Sequence, residues 1–230
     1  MKQLMKAVAY WGERRESVGQ CTERLMDFME NVREISPRLQ HWSEGEVPVR
    51  YDADSLRAIL EDGHNRDDTP QHKVIPELGF QIVWWGGQAS GSDYRILKIR
   101  CGGYGEYSGL NNVIFRRLST DWLNVDIAVE LVRAMVSSWS PEHAAVCSKN
   151  ALRAAGGAQI EAPIVDWVFF HRRPRTGALK APSRVAFELD GGECIVVQDS
   201  PIRPDHLQDR ARVRDLAKLL GVSPKPARQP

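Results

Sequence analysis

Two long segments of the chain repeat apolar residues at the spacing of an α-helix. In the first, Ser17 and Gln20 have the spacing of a capping box, and apolar residues follow at three- and four-residue steps until Pro37. In the second, Asp121 is expected to cap a helix whose apolar positions continue to Trp139. The sequence therefore predicts two long amphipathic helices.

Shorter periodic segments predict two further helices and a set of strands. One helix is expected over 54–60 and a C-terminal one over 204–220, while 142–155 is strand-like near Val146 and helix-like later. In the C-terminal helix, five side chains are expected to face the core: Leu207, Val213, Leu216, Leu219 and Leu220. Strands are predicted over 6–11, 80–85, 94–100, 113–118, 164–170, 184–189 and 194–197.

The order of these elements predicts the fold class. Strands come in consecutive groups separated by long helices, which is typical of an α+β fold with a largely antiparallel sheet covered by long helices on one face. A chain of 230 residues can bury one substantial core. We therefore expect a single domain over 1–221, followed by a flexible tail over 222–230.

Two glycine-containing stretches predict connections between strands, and the first of them raises the question of a phosphate site. "CGGYGEYSGLNN" (101–112) is rich in glycine, but β-branched and aromatic residues follow it where a phosphate-binding loop would lead into a helix. We interpret it as a wide hairpin connection in which glycine supplies positive φ angles. "DGGE" (190–193) lies between two strand-like runs and predicts a tight hairpin turn.

Composition and charge are those of an ordinary globular protein. Hydrophobic residues make up 42% of the chain and the formal net charge is +1, so any electrostatic recognition must be local. No apolar run is long enough to cross a bilayer, and the widely spaced cysteines suggest reduced thiols and a cytoplasmic protein. Between residues 41 and 80, nine acidic residues outnumber four basic ones, which leaves a local charge of −5.

Candidate catalytic and metal-binding residues are few. His64 and His72 share a polar loop with Asp67 and Asp68, so a metal-dependent enzyme is one hypothesis and a solvated surface loop is the other. The sequence contains neither H-E-x-x-H nor G-x-S-x-G. We expect no enzyme activity, no bound metal and no cofactor.

A basic segment, 169–180 ("FFHRRPRTGALK"), is the candidate nucleic-acid contact. It combines four cations with aromatic residues, the pattern of a site for phosphates and bases. These cations are Arg172, Arg173, Arg175 and Lys180. A nucleic-acid-binding accessory protein is therefore the alternative function, although a proline and a glycine in the segment equally indicate a solvated turn.

Tryptophan is used often, at seven positions. Most of these residues have apolar neighbours and are expected in the core. Trp84 and Trp85 are adjacent in a predicted strand and should point to opposite faces, so one of them is expected to reach the second face of the sheet or a partner surface.

Several short motifs, in their order along the chain, resemble a known family. They are "YWGERRES" with Cys21 after it, Trp42, "LGFQIVWWGG", "WSPEHAAVCS" and "GGECIVV". From about Val8 to the C-terminal helix, the chain resembles the immunity protein 52 family of bacterial polymorphic-toxin systems. We interpret the residues that match family motifs as fold-forming: Tyr10, Trp11, Gly12, Trp139 and Pro141.

The resemblance implies a function by binding. It implies an α+β cytosolic antitoxin encoded beside a toxin, typically a nuclease with a restriction-endonuclease-like fold that is delivered by type VI secretion. The expected partner is this toxin. No membrane partner and no direct contact with nucleic acid are expected.

The acidic stretch is the first candidate for the toxin-binding surface. A nuclease presents a basic surface to its substrate, and an acidic surface can steer association and cover it. The candidates are Glu44, Glu46, Asp52, Asp54, Glu61, Asp62, Asp67 and Asp68. The alternatives are a solvated loop and an inhibitor that blocks toxin assembly away from the active site.

Overall fold

The fold combines a large sheet with α-helices, in a computed structural model that describes residues 3–88, 91, 93–105, 111–154, 164–172 and 185–222. The described residues form a ten-stranded sheet and five α-helices, which confirms the α+β class. Two helices have 18 and 15 residues and the others have 13 or fewer, so they give little support to the predicted cover of long helices.

The structure describes ten strands and five α-helices. The strands are β1 (Leu4–Trp11), β2 (Ser43–Glu44), β3 (Val47–Pro48), β4 (Phe80–Gly86), β5 (Arg95–Cys101), β6 (Asn111–Ser119), β7 (His143–Cys147), β8 (Val168–His171), β9 (Val185–Leu189) and β10 (Gly192–Val196). The helices are α1 (Val18–Ile35), α2 (Ala53–Asp62), α3 (Val125–Trp139), α4 (Lys149–Ala154) and α5 (Leu207–Leu219). The chain divides into two compact units, Tyr10–Phe115 (the N-terminal unit) and Met1–Ala9 with Arg116–Pro230 (the C-terminal unit).

The N-terminal unit places its strands in the order β3, β2, β4, β5 and β6. Buried and partly exposed residues alternate along β4 and β5, as expected for strands with one face on the core. Trp84 is fully buried and Trp85 is half-buried, which confirms that they point to opposite faces. The ring of Phe115 lies 5.9 Å from that of Phe28 and 5.8 Å from that of Trp42, between centroids.

The first helix, α1, begins and ends as the sequence predicts. Ser17 Oγ accepts a hydrogen bond from the Gln20 amide, and the Gln20 side chain accepts one from the Ser17 amide. This confirms the capping box. The helix ends before Pro37, and its buried residues form one stripe, including Leu25 and Val32, on the side where α1 packs against α2 and the core.

The glycine-rich stretch connects neighbouring strands, as predicted. It leads from β5 to β6, which lie side by side in the sheet, so it is not the entrance to a helix. Residues 106–110 of this stretch lie outside the described residues.

The C-terminal unit places its strands in the order β1, β7, β8, β10 and β9. The pairs β7–β8, β8–β10 and β10–β9 are antiparallel. Asp190 and Gly191 connect β9 to β10 with φ angles of 43° and 71°, as a two-residue turn with positive φ at both positions requires. This confirms the predicted hairpin.

The predicted strand over 164–170 is wrong in its first part. Only Val168–His171 pair as a strand. The chain bends before them at Asp166, whose carboxylate accepts a hydrogen bond from the Ser148 amide at 2.7 Å. The stretch 142–155, which is strand-like near Val146 and helix-like later in the sequence, contains both elements, because β7 is followed there by α4.

The predicted cap of α3 is also wrong. Asp121 lies in a turn in which the amides of Trp122 and Leu123 donate to the Ser119 carbonyl, and the helix begins later. Asn124 is the N-cap, and its Oδ1 accepts from the Ile127 amide at 2.9 Å. Asn124, which directly precedes the first residue of the helix, is therefore the cap, and Asp121, three positions earlier, is not.

Asn124→Ala should lower the free energy of unfolding by about 1 kcal/mol, because the Ile127 amide loses its acceptor. Asn124→Ser retains an acceptor and should cost only a few tenths of a kcal/mol. Urea unfolding of both variants measures the difference. Equal losses would show that the cap contributes nothing to stability.

The inward face predicted for α5 is partly wrong. Leu216 and Leu220 are buried, but Leu207 is 77% exposed and Leu219 is 61% exposed. Leu207 and Leu216 are nine positions apart, which is about two and a half turns, so they lie on opposite sides of the helix. A list of leucines in a helix does not by itself define one face.

Candidate functional site

A cleft of about 450 Å³ lies within the N-terminal unit, beside the start of α1. Its wall combines the loop before α1, the turn of Gly102–Gly105 after β5 (the glycine turn), and residues between α2 and the start of β4. The lining residues are Arg15, Glu16, Ser17, Gln20, His64, Pro76, Phe80, Gly102 and Tyr104.

Backbone hydrogen bonds join the segments that form the cleft. The Arg14 amide donates to the Gly103 carbonyl at 2.9 Å, and the Tyr104 amide donates to the Glu77 carbonyl at 2.8 Å. The Asn111 side chain donates to the carbonyls of Gly12 and Gly103 at 2.8 and 3.0 Å. The glycine turn therefore holds the loop before α1 in place.

The charged side chains at the cleft are paired or stacked. The Glu16 carboxylate is almost fully buried and forms ion pairs with Arg14 at 3.1 Å and Arg24 at 2.6 Å. The Arg15 guanidinium stacks over the Tyr104 ring at 4.9 Å. Arg15 and Glu16 carry the formal charges of the lining, which therefore has no net charge.

The polar side chains of the cleft have structural partners. Ser17 Oγ belongs to the capping box, and His64 Nδ1 lies 2.7 Å from the Glu61 carbonyl. The His64 ring also meets Phe80 edge-on, with centroids 4.5 Å apart. The described lining thus resembles a binding surface and offers no paired nucleophile and base.

Three of the eight acidic candidates lie together on an exposed surface. Glu44 and Glu46 belong to the β2–β3 hairpin, and Glu44 lies close to Asp62 at the end of α2. Burial, with the nearby charge of Asp62, raises the pKa of Glu44. Val47, in the same hairpin, is 69% exposed. We call Glu44, Glu46, Val47 and Asp62 the hairpin surface.

Three other acidic candidates are held by local contacts. Asp52 caps α2 and accepts from the Ser55 amide at 2.9 Å. Asp67 accepts from the Thr69 hydroxyl and the Lys73 amide at 2.6 and 2.9 Å, and Glu61 pairs with Arg57 at 3.2 Å. Bonds from the Ser55 amide and the Thr69 hydroxyl lower the pKa of Asp52 and Asp67, respectively. Replacing Asp52 or Asp67 would therefore disturb local structure as well as charge. The other two candidates, Asp54 and Asp68, are exposed.

The two units carry opposite formal charges. The N-terminal unit has 12 lysines and arginines against 17 aspartates and glutamates, a net charge of −5. The C-terminal unit has 19 against 13, a net charge of +6. All eight acidic candidates lie in the acidic unit.

The histidines suggested by the sequence are not assembled into a metal site. Among the residues that the structure describes, no group of three or more His, Cys, Asp or Glu side chains is placed to hold a metal ion. The sequence also gave no sign of a histidine pair in the C-terminal unit, where His143 and His171 stack with Nδ1 atoms 3.3 Å apart.

The basic segment 169–180 is described only in its first part. Arg172 has a structural role there, since its Nε donates to the Pro141 carbonyl at 2.9 Å and its Nη2 lies 3.3 Å from the Asp190 carboxylate. The remaining candidates, Arg173, Arg175 and Lys180, lie outside the described residues.

No helix in the described part of the chain is long and apolar enough to span a membrane.

Comparisons with known proteins identify the family. A search of curated proteins found no significant match. A solved structure of a Pseudomonas aeruginosa T6SS protein is similar with a TM-score of 0.57 and 14% identity, covering 96% of this chain and 73% of that one, which shows a shared fold. The family model described as immunity protein 52 matches residues 4–223, nearly the whole chain. The chain therefore belongs to the immunity protein 52 family.

Proposed function

We propose that this chain is an immunity protein that neutralises a cognate nuclease toxin by forming a stoichiometric complex. Its family implies a toxin partner and is generally non-enzymatic. The P. aeruginosa protein of similar fold is a T6SS protein, which supports a toxin delivered by type VI secretion. All four cysteines are buried and unpaired, which suits a reducing compartment such as the cytoplasm.

The observation that carries this proposal is the acidic charge of the N-terminal unit, −5 over Tyr10–Phe115. A nuclease must attract the phosphate backbone of its substrate and therefore exposes positive charge. An acidic unit accelerates encounter with such a surface and competes with nucleic acid for it.

The hairpin surface is the proposed centre of the contact. Val47 offers an exposed apolar side chain next to Glu46 and opposite Glu44 in the hairpin, and an apolar residue flanked by polar ones is typical of protein interfaces. Partial burial raises the pKa of Glu44, and the nearby charge of Asp62 adds to this effect. A lysine or arginine of the toxin would favour the ionised form of both carboxylates.

The other five acidic candidates act around this centre in the proposal. Asp54, Glu61 and Asp68 add exposed negative charge elsewhere in the same unit. Asp52 and Asp67 add charge too, but mainly keep α2 and the 67–73 loop in shape. Rim charges influence the association rate more than the dissociation rate.

Purification of the tagged chain from its native host tests the function. We expect one partner at a 1:1 ratio, which degrades DNA after separation and is inactive when the chain is added back. A partner without nuclease activity would disprove the nuclease proposal, and recovery without any partner would count against the immunity role.

The double variant Glu44→Lys/Glu46→Lys tests the surface. We expect the dissociation constant for the purified partner to rise at least about tenfold at low salt, mainly through slower association, because two attractive charges become repulsive. Glu30→Lys/Glu34→Lys, on exposed positions of α1, is the control with the same change of charge in the same unit. Biolayer interferometry at several salt concentrations measures both.

Equal weakening by the two double variants would assign the effect to overall charge and not to the hairpin surface. Unchanged binding by both would remove the acidic surface from the proposal, and inhibition away from the toxin active site would become the favoured mechanism.

A further inference from the structure

The solvent-facing side of α5 carries an uninterrupted basic stripe. Arg210, Arg214 and Lys218 are exposed and follow one another at four-residue steps. Residues at this spacing lie on one face of a helix, about 6 Å apart along its axis. The opposite side of the helix holds Leu216 and Leu220, which are buried. We call the three exposed cations the α5 stripe.

The α5 stripe differs from the other cations of its neighbourhood, because those have partners. Arg203 Nε pairs with the buried Asp209 carboxylate at 3.1 Å, and Arg212 donates to Gln198 Oε1 at 3.2 Å. The Asp209 carboxylate, in the first turn of α5, therefore already has contacts within the fold, with Arg203 and His206. Asp215, the other acidic residue of the helix, lies about 100° around the axis from Arg214 and about 60° from Lys218, and no ion pair between Asp215 and the stripe is present among the described residues.

The chemistry of the α5 stripe fits a line of phosphates. A protein interface of moderate affinity needs an apolar centre, and the stripe has none between its charges. A helix that binds a membrane surface needs a continuous free apolar face. On α5, Leu216 and Leu220 are buried, and the exposed leucines, Leu207 and Leu219, lie twelve positions apart at the two ends of the helix. A row of evenly spaced cations on one helix face, for which the described residues provide no ion-pair partner, suits a phosphodiester backbone.

We propose that α5 binds the phosphate backbone of nucleic acid through Arg210, Arg214 and Lys218. The positive charge of the C-terminal unit, +6, favours the approach of a polyanion to this unit. The stripe has no aromatic residue to stack on bases, so binding is independent of base sequence. This inference does not rest on the identity of the toxin and departs from the sequence-based expectation of no direct contact with nucleic acid.

Fluorescence anisotropy with a labelled 20-base-pair DNA duplex and the purified chain tests the proposal. We expect binding at 50 mM NaCl that weakens with salt, and Arg210→Ala/Arg214→Ala/Lys218→Ala should reduce the slope of log K against log salt by about 2.7, for three lost phosphate contacts. Alanine is favourable at exposed helix positions, so the variant should stay folded, and circular dichroism checks this.

Arg38→Ala/Arg50→Ala/Lys73→Ala is the matched control, since it removes three exposed cations from the acidic unit. It should leave the slope unchanged. The proposal is overturned if the wild-type chain does not bind DNA at 50 mM NaCl, or if both triple variants lose binding equally. Binding to vesicles of anionic lipid in preference to DNA would also overturn it and would assign the stripe to a membrane surface.

Discussion

Gly79→Ala should destabilise the protein by about 2–6 kcal/mol, the sum expected for backbone strain and an overpacked contact. A Cβ at this position would lie 2.2 Å from the Cys101 carbonyl oxygen and 2.5 Å from the Gly103 nitrogen. Both are backbone atoms of the glycine turn and cannot move away as a side chain would. The φ angle of +61° and ψ of −145° also belong to a region that only glycine occupies easily.

Gly45→Ala separates the two causes. Gly45 has nearly the same φ angle, +59°, but a Cβ there would meet no atom within 4 Å. It should therefore cost only the strain, about 1 kcal/mol. Urea unfolding of both variants gives the two free energies. If Gly79→Ala cost no more than Gly45→Ala, the close approach of Gly79 to the glycine turn would not contribute to stability.

Local signals predicted much of the fold. The capping box of Ser17 and the turn at Asp190 and Gly191 depend on residues next to one another, and both are confirmed. One of the errors involves a distant residue. Asp166 looked like part of a strand, but its carboxylate accepts a hydrogen bond from the Ser148 amide, 18 positions away. The wrong cap of α3 and the wrong inward residues of α5 are local errors, in which the element was predicted and its detail was not.

The candidate site was harder to predict, for two physical reasons. The cleft depends on contacts between the loop before α1 and the glycine turn, such as the hydrogen bond from the Arg14 amide to the Gly103 carbonyl. These contacts join residues far apart in sequence, so no local pattern predicts them. The acidic candidates look alike in sequence, yet Asp52 and Asp67 have structural roles and Glu44 and Glu46 do not. For Asp52, the position just before a predicted helix was the signal that could have revealed its structural role as a cap.

Asp166→Asn should make the protein about 3 kcal/mol more stable than wild type above pH 6, with no gain below pH 4. Burial raises the pKa of Asp166 from 3.8 to about 6, although the Ser148 amide donates to its carboxylate. Between these values the unfolded chain ionises this group and the folded chain does not, so stability falls as the pH rises. Asparagine cannot ionise, which removes the penalty.

His143 opposes Asp166 over almost the same pH range, which provides the control. Burial, with the neighbouring His171, lowers the pKa of His143 from 6.5 to about 4. Between these values only the unfolded chain is protonated, so stability is complete above pH 6.5 and falls as the pH drops. His143→Gln should therefore gain about 3 kcal/mol relative to wild type on acidification, the reverse of Asp166→Asn.

Urea unfolding of the wild type and both variants from pH 4 to 7.5 measures the two differences. Charges elsewhere in the chain contribute equally to all three proteins and cancel. Because the two groups act in opposite directions, their joint contribution to wild-type stability should be nearly constant over this pH range. In each variant, the free energy of unfolding should then change with pH as the remaining group dictates. A stability difference that does not change with pH would show that the replaced side chain keeps its ordinary pKa in the fold.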